Sequence, residues 1–195
     1  MSGLVAAVSA CATGATPTND APGGSSSPET TSPTVVQAQD PADPTTWIIS
    51  ADGVGPARLG QSLKDVEAAF TGYVDVSDHN ACPNPLITFL GPAGSTMADS
   101  PLLLDTDETG VVVGIAVSKV GPKTAEGIGI GSTATAVNTA YPAAIAGSRG
   151  PTTEHNLLTV HGSPGWVSYE IVVGDETVHQ VDVMSGSLPP NEFCN

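Results

Sequence analysis

Basic residues are scarce in this chain. Lys and Arg total 5 against 20 Asp and Glu in 195 residues, a formal net charge of −15. Nucleic-acid binding needs cationic side chains to neutralise phosphates, so that class is excluded. A polybasic membrane-surface segment is excluded for the same reason. Long apolar runs are missing as well: none approaches the roughly 18 apolar residues of a membrane-spanning helix. Catalytic signatures are also lacking, with no Gly-x-Ser-x-Gly elbow and no His-Glu-x-x-His pair. The expectation is therefore a non-enzymatic protein without metal or cofactor. Acidic excess speaks to solubility and long-range repulsion, and it is compatible with a basic partner surface.

Another shortage is local. Residues 12–45 contain no aromatic residue and no Leu, Ile, Met, Lys or Arg. Val35 and Val36 are their only large apolar residues, and six prolines punctuate them. Such a segment cannot bury enough surface to offset its ordering entropy, so 11–45 is expected to be a disordered tether. As a random coil it would span about 30–40 Å. The folded domain is then expected over 46–195, about 150 residues, enough for one compact core.

What is present starts with cysteine. Val8-Ser9-Ala10-Cys11, closing a short apolar stretch, resembles the lipobox of bacterial lipoprotein signal peptides. The resemblance implies that Cys11 is a lipidated N-terminus anchored in the cytoplasmic membrane, with all that follows on the extracytoplasmic side. Residues 1–10 would be a signal-peptide remnant. They carry no Lys or Arg, and the apolar run Leu4–Val8 is shorter than the usual stretch of about 7–15 residues. The true start is accordingly expected upstream. With Cys11 assigned to lipid, Cys82 and Cys194 remain, and an even remainder in an exported domain favours a disulfide over two buried free thiols.

The domain resembles itself. Leu59-Gly60-Gln61-Ser62 with Val66 and Ala69-Phe70 recurs as Ile130-Gly131-Ser132-Thr133 with Val137 and Ala140-Tyr141, at an offset of 71. Ile87-Thr88-Phe89-Leu90-Gly91 aligns with Leu158-Thr159-Val160-His161-Gly162 at that offset. Asp107-Glu108-Thr109, Val113 and Ile115 then match Asp175-Glu176-Thr177, Val181 and Val183. Two repeats follow, 53–120 and 125–195. In each, a helix starts at an N-cap candidate, Ser62 or Thr133, and ends near Gly72 or Pro142. Strands are expected at Leu86–Leu90, Leu102–Asp105 and Val111–Ser118, and at Leu157–His161, Trp166–Val173 and Val178–Met184. Trp47–Ser50 offers one more. The fold class is α+β: two tandem helix-plus-antiparallel-strand repeats forming one sheet, with short helices on one face.

Alternation assigns the faces. Ile87, Phe89, Leu158, Val160, Val113, Ile115, Val117, Val181 and Val183 are expected under the helices. The opposite face receives Leu90, Thr159, His161, Trp166, Glu170, Gln180 and Asp182. These small, polar and aromatic groups form the candidate binding face for a protein partner.

A Gly-x-Ser/Thr-x-x-x-Val helix followed by antiparallel strands, duplicated in an exported protein, resembles the β-lactamase inhibitor protein family. It is similar also to small outer-membrane assembly lipoproteins of the SmpA/OmlA type, which carry one such unit. The resemblance covers roughly residues 53–185. It implies a helix-plus-sheet unit and, in the inhibitor family, a concave sheet that grips an enzyme. A small-ligand or sensory module of the envelope is the alternative reading.

Other motifs point to simpler roles. Asp105-Thr106-Asp107-Glu108-Thr109-Gly110 imitates the start of a Ca²⁺ loop, but the position of the bidentate Glu is Ala116, so an acidic hairpin turn is expected. His155, His161 and His179 share the second repeat, yet His161 and His179 are assigned opposite facings, against a zinc site. His79 lies beside Cys82 without a tied Asn or Asp. The run Gly127–Thr133 lacks the lysine of a phosphate-binding loop and reads as a turn into the helix.

Overall fold

The computed structural model describes residues 39–149, 155–186 and 193–194. Cys11, the signal remnant and the tether up to residue 38 lie outside the described residues. No helix among the described residues is long and apolar enough to cross a membrane.

Two short helices form where the caps predict. α1 (Leu63–Ala69) and α2 (Ala134–Ala140) are seven residues each. Ser62 Oγ accepts from Asp65 N at 3.2 Å and donates to the Asp65 carboxylate at 2.7 Å. Thr133 Oγ1 accepts from Ala136 N at 3.1 Å. Each helix drives one fully buried valine, Val66 or Val137, into the core. Helices this short are marginal alone, so that packing is what holds them.

The rest is mostly strand. β1 (Ile49–Ser50), β2 (Gly53–Val54) and β3 (Ala57–Arg58) make a small antiparallel sheet. The main sheet contains β4 (Tyr73–Asp75), β5 (Ile87–Pro92), β6 (Leu102–Thr106), β7 (Val112–Val117), β8 (Ile145–Ser148), β9 (His155–His161), β10 (Trp166–Val172) and β11 (Val178–Met184). Its order is β4-β5-β6-β7-β11-β10-β9-β8, with every pairing antiparallel. Each helix thus precedes four consecutive strands, and the two sets meet at β7–β11.

Several expectations change here. One sheet was expected; the segment 49–58 forms a second, because turns at Ala51-Asp52 and Gly55-Pro56 fold it back on itself. Gly55 is required there: it has φ +57°, and a Cβ would sit 2.8 Å from the Trp47 ring. Residues 39–45, expected as the end of the linker, carry local bonds: Asp43 caps the 3₁₀ turn Pro44–Thr46, and Trp47 Nε1 donates to Asp40 O at 2.8 Å.

The facing of β5 is reversed. Ile115 and Val183 are direct partners in the central pair. Outward from Ile115 the register runs to Leu104 and Thr88; outward from Val183 it runs to Val167 and Val160. Thr88 therefore occupies the position of Val160, an offset of 72 where alignment has 71. A one-residue slip exchanges the faces of a strand. Leu90 belongs to the inner core under the helices, with Leu102, Leu104, Ile115 and Val117. Ile87 and Phe89 lie outside. Val113, expected inward, falls in the bulge where Thr106 pairs Val112 and Asp105 pairs Gly114; Val112 takes the core place.

The outer face is apolar at that end because the C-terminus covers it. Cys82 and Cys194 form a disulfide with Cα atoms 4.7 Å apart. Together with Phe193 they pack on Ile87, Leu103, Ala116 and Met184. Asn84 Nδ2 donates to Phe193 O at 3.0 Å and fixes the same clip.

Candidate functional site

The other half of the outer face is polar, and it is built from the alternate residues of β9, β10 and β11. Register brings Glu170 opposite Gln180 and Ser168 opposite Asp182 on one side, and opposite Leu157 and Thr159 on the other. Thr159 and Ser168 hydroxyls lie 3.1 Å apart. Gln180 Nε2 donates to Asp182 Oδ1 at 2.7 Å.

One cation organises this patch. Arg149, just beyond β8, sets Nη2 2.7 Å from Asp182 Oδ2 and Nη1 2.9 Å from Glu170 Oε2. Its guanidinium lies 5.5 Å from the centroid of the Phe193 ring. His155 Nδ1 approaches Glu170 Oε1 at 2.7 Å. Only the Arg149–Asp182 contact is aligned as a hydrogen bond. Glu170 Oε2, His155 Nδ1 and Arg149 Nε lack an aligned partner among the described residues, so Glu170 is held by charge more than by directed bonds. Asp182 has no exposed side-chain surface and Arg149 only 12%. Burial pushes the Asp182 carboxyl up to about 6; Arg149 and the Gln180 hydrogen bond oppose the rise, and Glu170 adds to it.

The candidate face thus separates into three groups. His161 is exposed, and Thr159, Trp166 and Gln180 are half-buried on the expected face. Glu170 and Asp182 are on it too, but buried, because Arg149 draws them together beneath the surface. Leu90 is on the opposite face and fully buried. Trp166 bridges the two halves: its ring packs against the disulfide-side cluster and its Nε1 donates to Gly186 O.

No family model, curated protein or solved structure matches this chain.

Sequence reasoning missed Arg149 and Phe193, and it weighed His155 only as a metal ligand. A signal existed: Arg149 is the only Lys or Arg after Lys123, followed by two strands with one carboxylate each on a shared face. The chemistry of this arrangement is that of a buried ionic tie. Both carboxylates are spent on one guanidinium, which leaves neither as a free base.

The remaining motifs are accounted for locally. Asp107 Oδ1 accepts from Thr109 N, Thr109 Oγ1 and Val111 N at 2.7–3.0 Å, which closes the β6–β7 turn. His179 sits in the β10–β11 bulge and pairs with Asp175. Among the described residues, no group of three or more His, Cys, Asp or Glu is placed to hold a metal ion.

Proposed function

We propose that the chain is an extracytoplasmic lipoprotein anchored through Cys11, whose domain is a non-enzymatic protein-binding module of the cell envelope. The observation that carries the binding reading is the outer face itself. His161, Trp166, Thr159 and Gln180 present a mixed aromatic and polar surface on paired strands, backed by the Arg149 tie. Aromatic and polar groups on a fixed scaffold suit protein recognition, with little ordering cost on binding. The succession of α1 with β4–β7 and α2 with β8–β11 supports a duplicated unit, and with it the likeness to the β-lactamase inhibitor protein family. An exported enzyme is one partner class this likeness implies.

Pull-down from envelope extracts tests the face, using wild type beside Trp166→Ala and His161→Ala. Partners lost with either variant support it; partners kept equally by both reject this face. Lipid labelling that persists in Cys11→Ser rejects the anchor.

A second reading is favoured by one observation. A cavity of about 240 Å³ opens between β1 and the β9–β10 strands, with Tyr141 and Tyr169 stacked at 5.9 Å beside it. The Tyr141 hydroxyl donates to Glu126 and holds that carboxyl below its ordinary range. A small-ligand or sensory module would use this cavity. Ligand-induced shifts confined to Tyr169 and Gly162 in an NMR screen of small metabolites would favour it.

A further inference from the structure

The main sheet ends at its second edge on β8. Every residue of Ile145–Ser148 is exposed. Arg149 N donates to His155 O at 3.3 Å, so Arg149 and His155 form a hydrogen-bonded pair. In an antiparallel ladder such pairs recur at every second residue. Gly147 and Ile145, opposite Leu157 and Thr159, are therefore bonded inward. Ala146 and Ser148 direct their N–H and C=O groups away from the sheet, and among the described residues no strand pairs with that side.

Natural edges are blunted by Pro, Lys, inward charges, bulges or shortness. The Ile-Ala-Gly-Ser sequence of β8 has none of the residue types; its next ladder residue, Arg149, turns its charge inward onto Glu170 and Asp182 and leaves the four exposed positions uncharged. The opposite edge, β4, is three residues long and carries Asp75. Beneath β8 lies an apolar groove of about 250 Å³, between Ala134 and Asn138 of α2 and Ala146, Leu158 and Ile171 of the sheet. Its only ionisable lining residue is Glu176.

We infer that β8 is an acceptor edge for an extended, Lys- or Arg-bearing segment of a partner protein, which adds as a further strand and seats an apolar side chain in the groove. Backbone pairing through Ala146 and Ser148 supplies affinity, and the groove selects one apolar residue facing α2. Charge sets the partner's sign. Glu176 stands at the groove, and Arg149, which directly follows β8, is already engaged by Glu170 and Asp182. The chain as a whole carries −15, which attracts a basic segment and opposes pairing of two β8 edges from identical copies. The inference rests on the protein-binding reading and narrows it to one mode of attachment.

Amide hydrogen exchange by NMR on the full chain tests it. In the free protein, Ala146 and Ser148 amides exchange fast, whereas Ile145, Gly147 and Arg149 are protected. The probe is an acetylated, amidated heptapeptide, Lys-Val-Lys-Val-Lys-Val-Lys. Saturating peptide slows exchange at Ala146 and Ser148 by about tenfold or more, with the shifted side-chain signals confined to Ala134, Leu158 and Ile171. N-methylating alternate residues of the peptide removes the effect, because it deletes the pairing donors without touching the protein. The Glu-for-Lys peptide has no effect, and Glu176→Gln weakens the basic peptide several-fold. Ala146→Pro deletes one outward donor and abolishes protection at Ser148 while Gly147 stays protected.

Absence of added protection overturns the inference. So does equal protection by the acidic peptide, or protection without peptide that grows with protein concentration, which would mark self-pairing. Edge and face fail separately: if envelope partners depend on Trp166 and His161 while β8 stays unprotected, the edge is wrong and the binding reading stands.

Discussion

Asp182 and Arg149 are the residues on which the polar half of the sheet depends. The Asp182 carboxyl titrates near 3.8 when solvated and near 6 in the fold. Between these values the folded chain holds a proton that the unfolded chain has released. The stability tied to this group is thus complete below about pH 4 and lost as pH rises through about 6. At about 1.4 kcal/mol per unit, the loss is on the order of 3 kcal/mol. Asp182→Asn removes that titration. The stability difference between wild type and variant, from urea melts at pH 4 and pH 7, is expected to change by about this amount. A pH-independent difference would show that Asp182 is not the titrating group. Arg149→Met keeps the stem but strands two buried carboxylates, and is expected to cost about 3–5 kcal/mol at pH 7. The cost shrinks near pH 5, where Asp182 takes up a proton; an equal cost at both values would mean the lost packing on Phe193 dominates.

At the scale of elements, α1 and α2 are held by packing, and their caps add to it. α2 has no acidic residue in its first turn and no basic residue in its last, so Thr133 is its principal local support. Thr133→Ala is expected to lower stability by about 1 kcal/mol, and Ser62→Ala by a similar amount, in chemical denaturation. A neutral Thr133→Ala would mean that Val137 packing alone holds the helix. These caps were legible because a hydroxyl residue before an apolar face has few other roles. The six longer strands were legible for a related reason, their β-branched and apolar runs. β4 and β8 were not: Tyr-Val-Asp and Ile-Ala-Gly-Ser carry too little pattern, and as edges they need none. β5 shows a different limit. Ile87, Phe89 and Leu90 are all apolar, so alternation cannot say which side faces the helices. The register through Leu104 decides it, and register is a property of the partner strands.

For the whole molecule, the question is what makes one sheet carry two unlike outer halves. The inner face is one continuous core that takes in residues from Trp47 to Val183, and among the described residues no helix covers the outer face. The C-terminus substitutes at one half, and the Arg149 tie does so at the other. Cysteine arithmetic made the Cys82–Cys194 pairing legible, but not the consequence that Phe193 would lie against both Met184 and Arg149. That contact joins the halves, and the disulfide beside it ties positions 112 apart in sequence. Replacing both cysteines by Ala therefore does two things. It frees a loop closed across a sequence separation of 112, worth about 4–5 kcal/mol in the chain-entropy account. It also loosens Phe193 from the apolar half, where Trp166 packs. Fluorescence separates the effects, since the chain has only 2 tryptophans and Trp47 is fully buried in the inner core. The double variant is expected to lose stability in that range while its native emission shifts red through Trp166 alone. A variant that keeps native emission and loses less than about 1 kcal/mol would show that the C-terminus rests on the sheet without holding it.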